Sequence, residues 1–314
     1  MYRSILVPLD GSTFGEQALP LAIAVARRAG AALHLLHVHT PLASVYAEGA
    51  FFIDEALERD LKVRQQTYLE SVTKRVKDVC AIPIHPTLVE GAIEPSIRSA
   101  AVGAAADLVV MTTHGRGPLA RLWLGSVADA LVRDLPVPLL LVRPGEGAID
   151  FAQEPPLKHL LLPLDGEPLA EQMIEPAVAL GSLSDADYTL LRVIRPIVPL
   201  AYPFSEGHTL GQVAQSMINQ IDEFQNQVRK EATDYLERVA AGLRQRSLRV
   251  QTRVAVETQP AVAILSEAKP PAIDMIAVET HGRRGLKRLF LGSVADKVVR
   301  GAAVPVLVQR PAHP

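Results

Sequence analysis

Cysteine is nearly missing from this chain: Cys80 is the one thiol in 314 residues. A lone thiol excludes an internal disulfide and a cysteine-rich metal site, and its apolar neighbours Val79, Ala81 and Ile82 predict a buried thiol in a reducing cytoplasm. An excess of charge of either sign is also lacking, since 32 Lys and Arg stand against 34 Asp and Glu for a net charge of −2. That balance points to neither nucleic acid nor an anionic membrane as partner. No long hydrophobic run survives inspection either. The longest apolar stretch, Leu19 to Val38, is broken by Pro20 and Arg27-Arg28, and a bilayer span is not expected of it. Met1-Tyr2-Arg3-Ser4 leads straight into the apolar Ile5-Leu6-Val7, so no secretory leader is expected and the cytoplasm is the anticipated location.

What is present is a repeat. Ile5-Leu6-Val7-Pro8-Leu9-Asp10-Gly11 recurs as Leu160-Leu161-Leu162-Pro163-Leu164-Asp165-Gly166, an offset of 155. Thr113-His114-Gly115-Arg116 recurs as Thr280-His281-Gly282-Arg283, and Leu124-Gly125-Ser126-Val127-Ala128-Asp129 as Leu291-Gly292-Ser293-Val294-Ala295-Asp296, both at 167. The second copy therefore carries about 12 extra residues, placed by its prolines and glycines between Arg195 and Gln212. Breaker-rich sequence from Pro144-Gly145 to Pro155-Pro156 reads as the join. The expected division is a first domain of residues 1–146, a linker of 147–157 and a second domain of 158–314.

Short apolar runs alternate with helical patterns. Strands are predicted at Ile5–Pro8, Leu33–Val38, Ile84–Val89, Leu108–Met111 and Leu139–Val142, and helices near Gly15–Ala29, Ile53–Val79, Pro95–Ala105 and Ser126–Arg133. The second copy repeats this order, with strands at Leu160–Pro163, Tyr188–Val193, Val250–Val256, Met275–Val278 and Val306–Val308 and a long helix over Val213–Leu243. Strand–helix alternation predicts an α/β protein: two tandem open parallel five-stranded sheets with helices on both faces. The final strand of each copy is short and apolar, an edge that invites pairing.

In such sheets ligands settle beyond the carboxyl ends of strands, where the topology reverses. Two repeated motifs fall there. Asp10, in Pro8-Leu9-Asp10-Gly11-Ser12, could accept hydrogen bonds from a base or ribose, or could cap the next helix. In the second motif, Gly115 permits close backbone approach, and Gly125-Ser126 opening a helix would offer amides and a positive helix end to phosphate. The alternative is a glycine turn followed by an ordinary serine cap.

With these motifs the sequence resembles the universal stress protein family, over nearly its whole length. ATP-binding members carry Gly, two residues, Gly, nine residues, then Gly-Ser or Gly-Thr, after a strand-one Asp. Gly115, Gly125 and Ser126 match in the first copy, and Gly282, Gly292 and Ser293 in the second. The resemblance implies a Rossmann-like fold of the adenine-nucleotide-binding type and ATP or AMP, with or without magnesium, as ligand. By the family's pattern Pro8, Asp10 and Val38 border adenine and ribose, Met111 and Thr112 the ribose side, and Gly115, Gly125, Ser126 and Val127 the phosphates. The second-copy counterparts are Pro163, Asp165, Val193, Val278, Glu279, Gly282, Gly292, Ser293 and Val294.

Two departures concern the ligand. The family's first glycine is Thr112 in one copy and Glu279 in the other, and Glu167 stands where the first copy has Ser12. A carboxylate facing a triphosphate repels it unless a cation intervenes, so the first copy is expected to be the better site. Arg116, Arg121, Arg283 and Lys287 could add charge or lie solvated at the surface.

His34, His37 and His39 are close in sequence, but no carboxylate or cysteine joins them, and surface or partly buried histidines are the alternative to a metal site. No catalytic triad is recognisable. Three readings follow: nucleotide-dependent signalling to an unidentified protein partner, the same fold acting by partner contacts alone, and slow ATP hydrolysis. Hydrolysis would need a metal-binding carboxylate and a residue to position water, and the sequence nominates neither clearly; Asp129 and Asp296 recur close to Gly125-Ser126 and Gly292-Ser293, with a structural role in their helices as the alternative. The resemblance further implies that the last strands pair the two copies as a pseudo-dimer within the chain, with a homodimer of chains as a further option.

Overall fold

A computed structural model describes residues 2–41, 55–113, 124–145, 147–198, 210–280 and 292–310, the side chains of 210–217 excepted. The first copy runs β1 (Ser4–Leu9), α1 (Thr13–Glu16), α2 (Leu19–Ala29), β2 (Ala32–His39), α3 (Glu55–Val79), β3 (Ile84–Glu90), α4 (Ile93–Gly103), β4 (Leu108–Thr112), α5 (Ser126–Asp134) and β5 (Leu139–Val142). The second runs β6 (His159–Pro163), α6 (Pro168–Glu171), α7 (Ile174–Gly181), β7 (Asp187–Ile194), α8 (Leu210–Gln245), β8 (Arg249–Val256), α9 (Pro260–Glu267), β9 (Met275–Glu279), α10 (Ser293–Gly301) and β10 (Val306–Gln309).

The helix predicted over Gly15–Ala29 is two helices. Pro20 occupies the first turn of α2 and favours a fresh start there, while α1 begins earlier, at a Ser12 cap. Gly30, with φ of 66°, ends α2 in the left-handed conformation that glycine adopts without strain. The long helix of the second copy, α8, has 36 residues and contains the predicted Val213–Leu243.

The ten strands form one sheet, ordered β3-β2-β1-β4-β5-β10-β9-β6-β7-β8. Pairing is parallel within each half. The halves meet where β10 pairs antiparallel with β5, Leu307 opposite Leu140. The two expected five-stranded sheets are thus continuous, because each apolar last strand finds its partner edge in the other copy. β1, β4 and β6 are apolar except at one end each, Ser4, Thr112 and His159, because helices cover both faces. One core, with Val7, Val110, Leu140, Leu162 and Leu307, lies under α2, α3, α7 and α8; the other, with Leu6, Met111, Leu141, Ile276 and Val306, lies under α4, α5, α9 and α10. Both cores cross the seam. Phe151 and Leu157, in the stretch read as a linker, are buried in the first of them.

Candidate functional site

Within each half the chain passes from β1 outward to β3 and then returns to β4 on the other side of β1, so the order reverses between β1 and β4, and again between β6 and β9. Such a reversal opens a crevice at the strands' carboxyl ends. The Asp10 turn leaves β1 on one side of it, and Thr112-Thr113 leave β4 on the other.

Gly11, with φ of 79°, lets the chain turn sharply after Asp10. The Asp10 carboxylate accepts hydrogen bonds from the Ser12 backbone N–H at 2.9 Å and the Ser12 hydroxyl at 2.6 Å. The Ser12 oxygen in turn accepts from the Gly15 N–H at 3.1 Å, so Ser12 is the helix cap and Asp10 braces it. The Asp10 residue itself is exposed at the crevice. Pro8 and Val38 are half-buried beside it, Val38 against the core that holds Met111. Thr112 is buried at the end of β4.

The N–H of Gly125 donates to the Thr113 carbonyl at 2.9 Å, which draws the start of α5 to the end of β4. Gly125 is the cap residue of α5 and, among the described residues, no side chain caps that helix; Ser126 is its first helical residue, exposed, not the serine cap that sequence allowed. Val127 packs on the core beneath. A helix start without a side-chain cap leaves its first-turn amides to water or to a ligand anion. Gly115 and Gly282 lie outside the described residues, as do Arg116, Arg121, Arg283 and Lys287.

The second copy repeats the frame with altered chemistry. Asp165 accepts from the Glu167 N–H at 3.0 Å, but no side-chain bond caps α6. The Gly292 N–H donates to Thr280 at 2.7 Å, placing Ser293 and Val294 at the start of α10 as in the first copy. Pro163 and Val193 are half-buried and Val278 is buried. Glu279, 7 % exposed, ends β9 where Thr112 ends β4.

Beneath each turn lies a polar group that sequence reading missed. Glu16, only 4 % exposed, pairs with Arg75 of α3 at 2.7 Å, and the phenol of Tyr68 is held far above its ordinary pKa by burial and then by the nearby Glu16 charge. His37 donates from Nδ1 to the Leu9 carbonyl at 2.8 Å and lies edge-on to Tyr68. In the second copy the Tyr235 hydroxyl donates to Glu171 at 2.9 Å, and Arg192, at the position of His37, stacks its guanidinium 5.0 Å from the Tyr235 ring. The signal was in the repeat, since Glu16 recurs as Glu171 and Tyr68-Leu69-Glu70 as Tyr235-Leu236-Glu237.

The neighbouring histidines do not converge. His39 is clasped by Gln65 at 2.8 Å and Glu58 at 2.5 Å, and His34 stacks on His85 at 4.8 Å. Asp129 and Asp296 pair with Arg133 at 2.5 Å and Arg300 at 2.8 Å, one turn along their own helices. A cleft of about 540 Å³ between the copies is lined by Tyr2, Asp107, Pro138, Glu175, Pro176 and Gln309 among others, and by none of the residues nominated from sequence. Cys80 is half-buried, its thiol directed at the Val76 carbonyl. Among the described residues no helix is long and apolar enough to cross a membrane.

Comparison with known proteins agrees with this architecture. The family model described as universal stress protein family matches twice, over residues 1–143 and 156–310. A universal stress protein of Mycolicibacterium smegmatis is 27 % identical over 98 % of this chain and 97 % of its own length. One from Thermus aquaticus is 34 % identical over 46 % of this chain and all of its own. The crystal structure of a universal stress protein from Archaeoglobus fulgidus superimposes with a TM-score of 0.67 at 16 % identity, covering 98 % of this chain and 96 % of that one. The chain belongs to the universal stress protein family and carries two copies of its domain in tandem.

Proposed function

We propose that the chain binds an adenine nucleotide, ATP or AMP, in the first copy and acts as a cytoplasmic stress-response protein whose occupancy is read by a protein partner. The observation that carries this reading is the placement, on the two sides of the β1–β4 reversal, of the braced Asp10 turn and of the α5 start, which no described side chain caps. Pro8, Asp10 and Val38 would flank base and ribose, Met111 and Thr112 the ribose, and Gly115, Gly125, Ser126 and Val127 the phosphates. The first-turn amides and positive helix end supply what phosphate oxygens require. Residues 1–146 would form the binding domain, 147–157 the linker and 158–314 a second domain of weaker or altered binding.

The second copy supports the asymmetry. Glu279 brings a buried carboxyl to the position of Thr112, and Glu167 replaces the capping Ser12. Those replacements also favour a second reading, in which the fold acts by protein contacts alone. Hydrolysis receives less support, because Asp129 and Asp296 are engaged by arginines of their own helices. Calorimetric titration of the nucleotide-stripped chain with ATP, with and without magnesium, tests the proposal. About one site per chain supports it; no heat and no thermal stabilisation at millimolar ATP leaves the contact-only reading.

A further inference from the structure

The two copies hold their ligand turns from different places. In the second, Arg192 of β7 lies against Gly166 and on the Tyr235 ring, so that turn is supported from its own sheet. In the first, support comes from the segment that leaves β5, from Gly145 into the linker. Gln17, directly after α1, donates from its amide to the Gly145 carbonyl at 2.9 Å and accepts the Gly145 N–H at 2.5 Å. Glu16, the last residue of α1, pairs with Arg75, whose guanidinium lies 4.8 Å from the ring centroid of Phe151. Phe151 is 7 % exposed in the inter-copy segment. The helix held in this way is the one whose cap, Ser12, is bonded to Asp10. Where the first copy has Arg75, the second has Gly242, so the same bridge cannot form there.

We infer that the inter-copy segment is part of the first copy's ligand site: Gln17, Arg75 and Phe151 are positioning residues that tie the Asp10 turn to the linker, and a ligand seated on that turn tightens the linker in return. The reciprocity is thermodynamic, since whatever the linker contributes to the affinity, the ligand returns to the order of the linker. The inference rests on the nucleotide reading, but its mechanical half stands apart from it.

The test uses the full chain and three variants, Arg75→Ala, Arg75→Lys and Gln17→Ala, followed by ATP calorimetry and amide hydrogen exchange. Arg75→Ala and Gln17→Ala should each weaken ATP binding by about tenfold, with Arg75→Lys losing less because it keeps the charge opposite Glu16. ATP should slow exchange in residues 147–152 of the parent chain and not in Arg75→Ala. Unchanged affinity in both alanine variants, with the parent binding ATP, overturns the inference. If the parent binds no ATP, the nucleotide reading fails on its own. The mechanical half, that these contacts hold the turn, is then decided by exchange at Gly15, Glu16 and Gln17 without ligand: faster exchange in the alanine variants upholds that half, and unchanged exchange overturns it.

Discussion

Leu140 and Leu307 face each other in register across the antiparallel β5–β10 pair, each fully buried, and through them two copies of one domain share a single sheet. Each side chain contributes roughly 1.5–3 kcal/mol by its removal from water. Leu140→Ala or Leu307→Ala should therefore cost about 2–5 kcal/mol, transfer and cavity together. Because the two are neighbours, the double variant should depart from additivity. Urea unfolding of the four proteins measures both the cost and the coupling.

The repeat departures predict unequal sites. Gly115→Glu should abolish ATP binding, while Gly282→Glu should change it little, because Glu279 already places a carboxylate in the second copy. Calorimetry on both variants decides the matter. Equal losses would remove the dominance assigned to the first copy.

Gly166 has φ of 89° and the Arg192 guanidinium packed against the place where a Cβ would stand. Gly166→Ala should destabilise the chain by about 1–3 kcal/mol through left-handed strain, in addition to the displacement of Arg192. Denaturant midpoints compared with those of an exposed control such as Gly103→Ala would show it, since nothing crowds a Cβ at Gly103.

Acid should weaken the edge of the first copy. Burial, then the charge of His85, lowers the pKa of His34. A base whose folded pKa lies below its unfolded value favours the folded state while neutral. That contribution is complete above the ordinary histidine value of about 6.5 and is lost as pH falls through it toward the folded value. Melting temperature should fall between neutral and mildly acidic pH, and His34→Gln should flatten the fall, modestly because the ring is partly solvated.

Much of this was legible locally. Apolar runs located the strands, because a strand covered on both faces must be apolar at every position, as Leu108–Met111 shows. The duplicated motifs marked the crevice residues, since Asp10 and Gly125 sit at strand and helix ends whatever surrounds them. The break at Gln17-Ala18 was harder to see, because the apolar pattern runs on through it and only the Ser12 cap and Pro20 divide it.

The sequence by itself determined the duplication, the α/β alternation and the family resemblance, all of which follow from short-range periodicity and residue identity. Tertiary structure alone decided that the two sheets are one, that Phe151 belongs to the core, and that Glu16, Arg75 and Gln17 tie the first turn to the linker. Those relations join residues far apart in the chain, 128 positions for Gln17 and Gly145. They exist only because packing in three dimensions brings the strands, the helices over them and the inter-copy segment into contact.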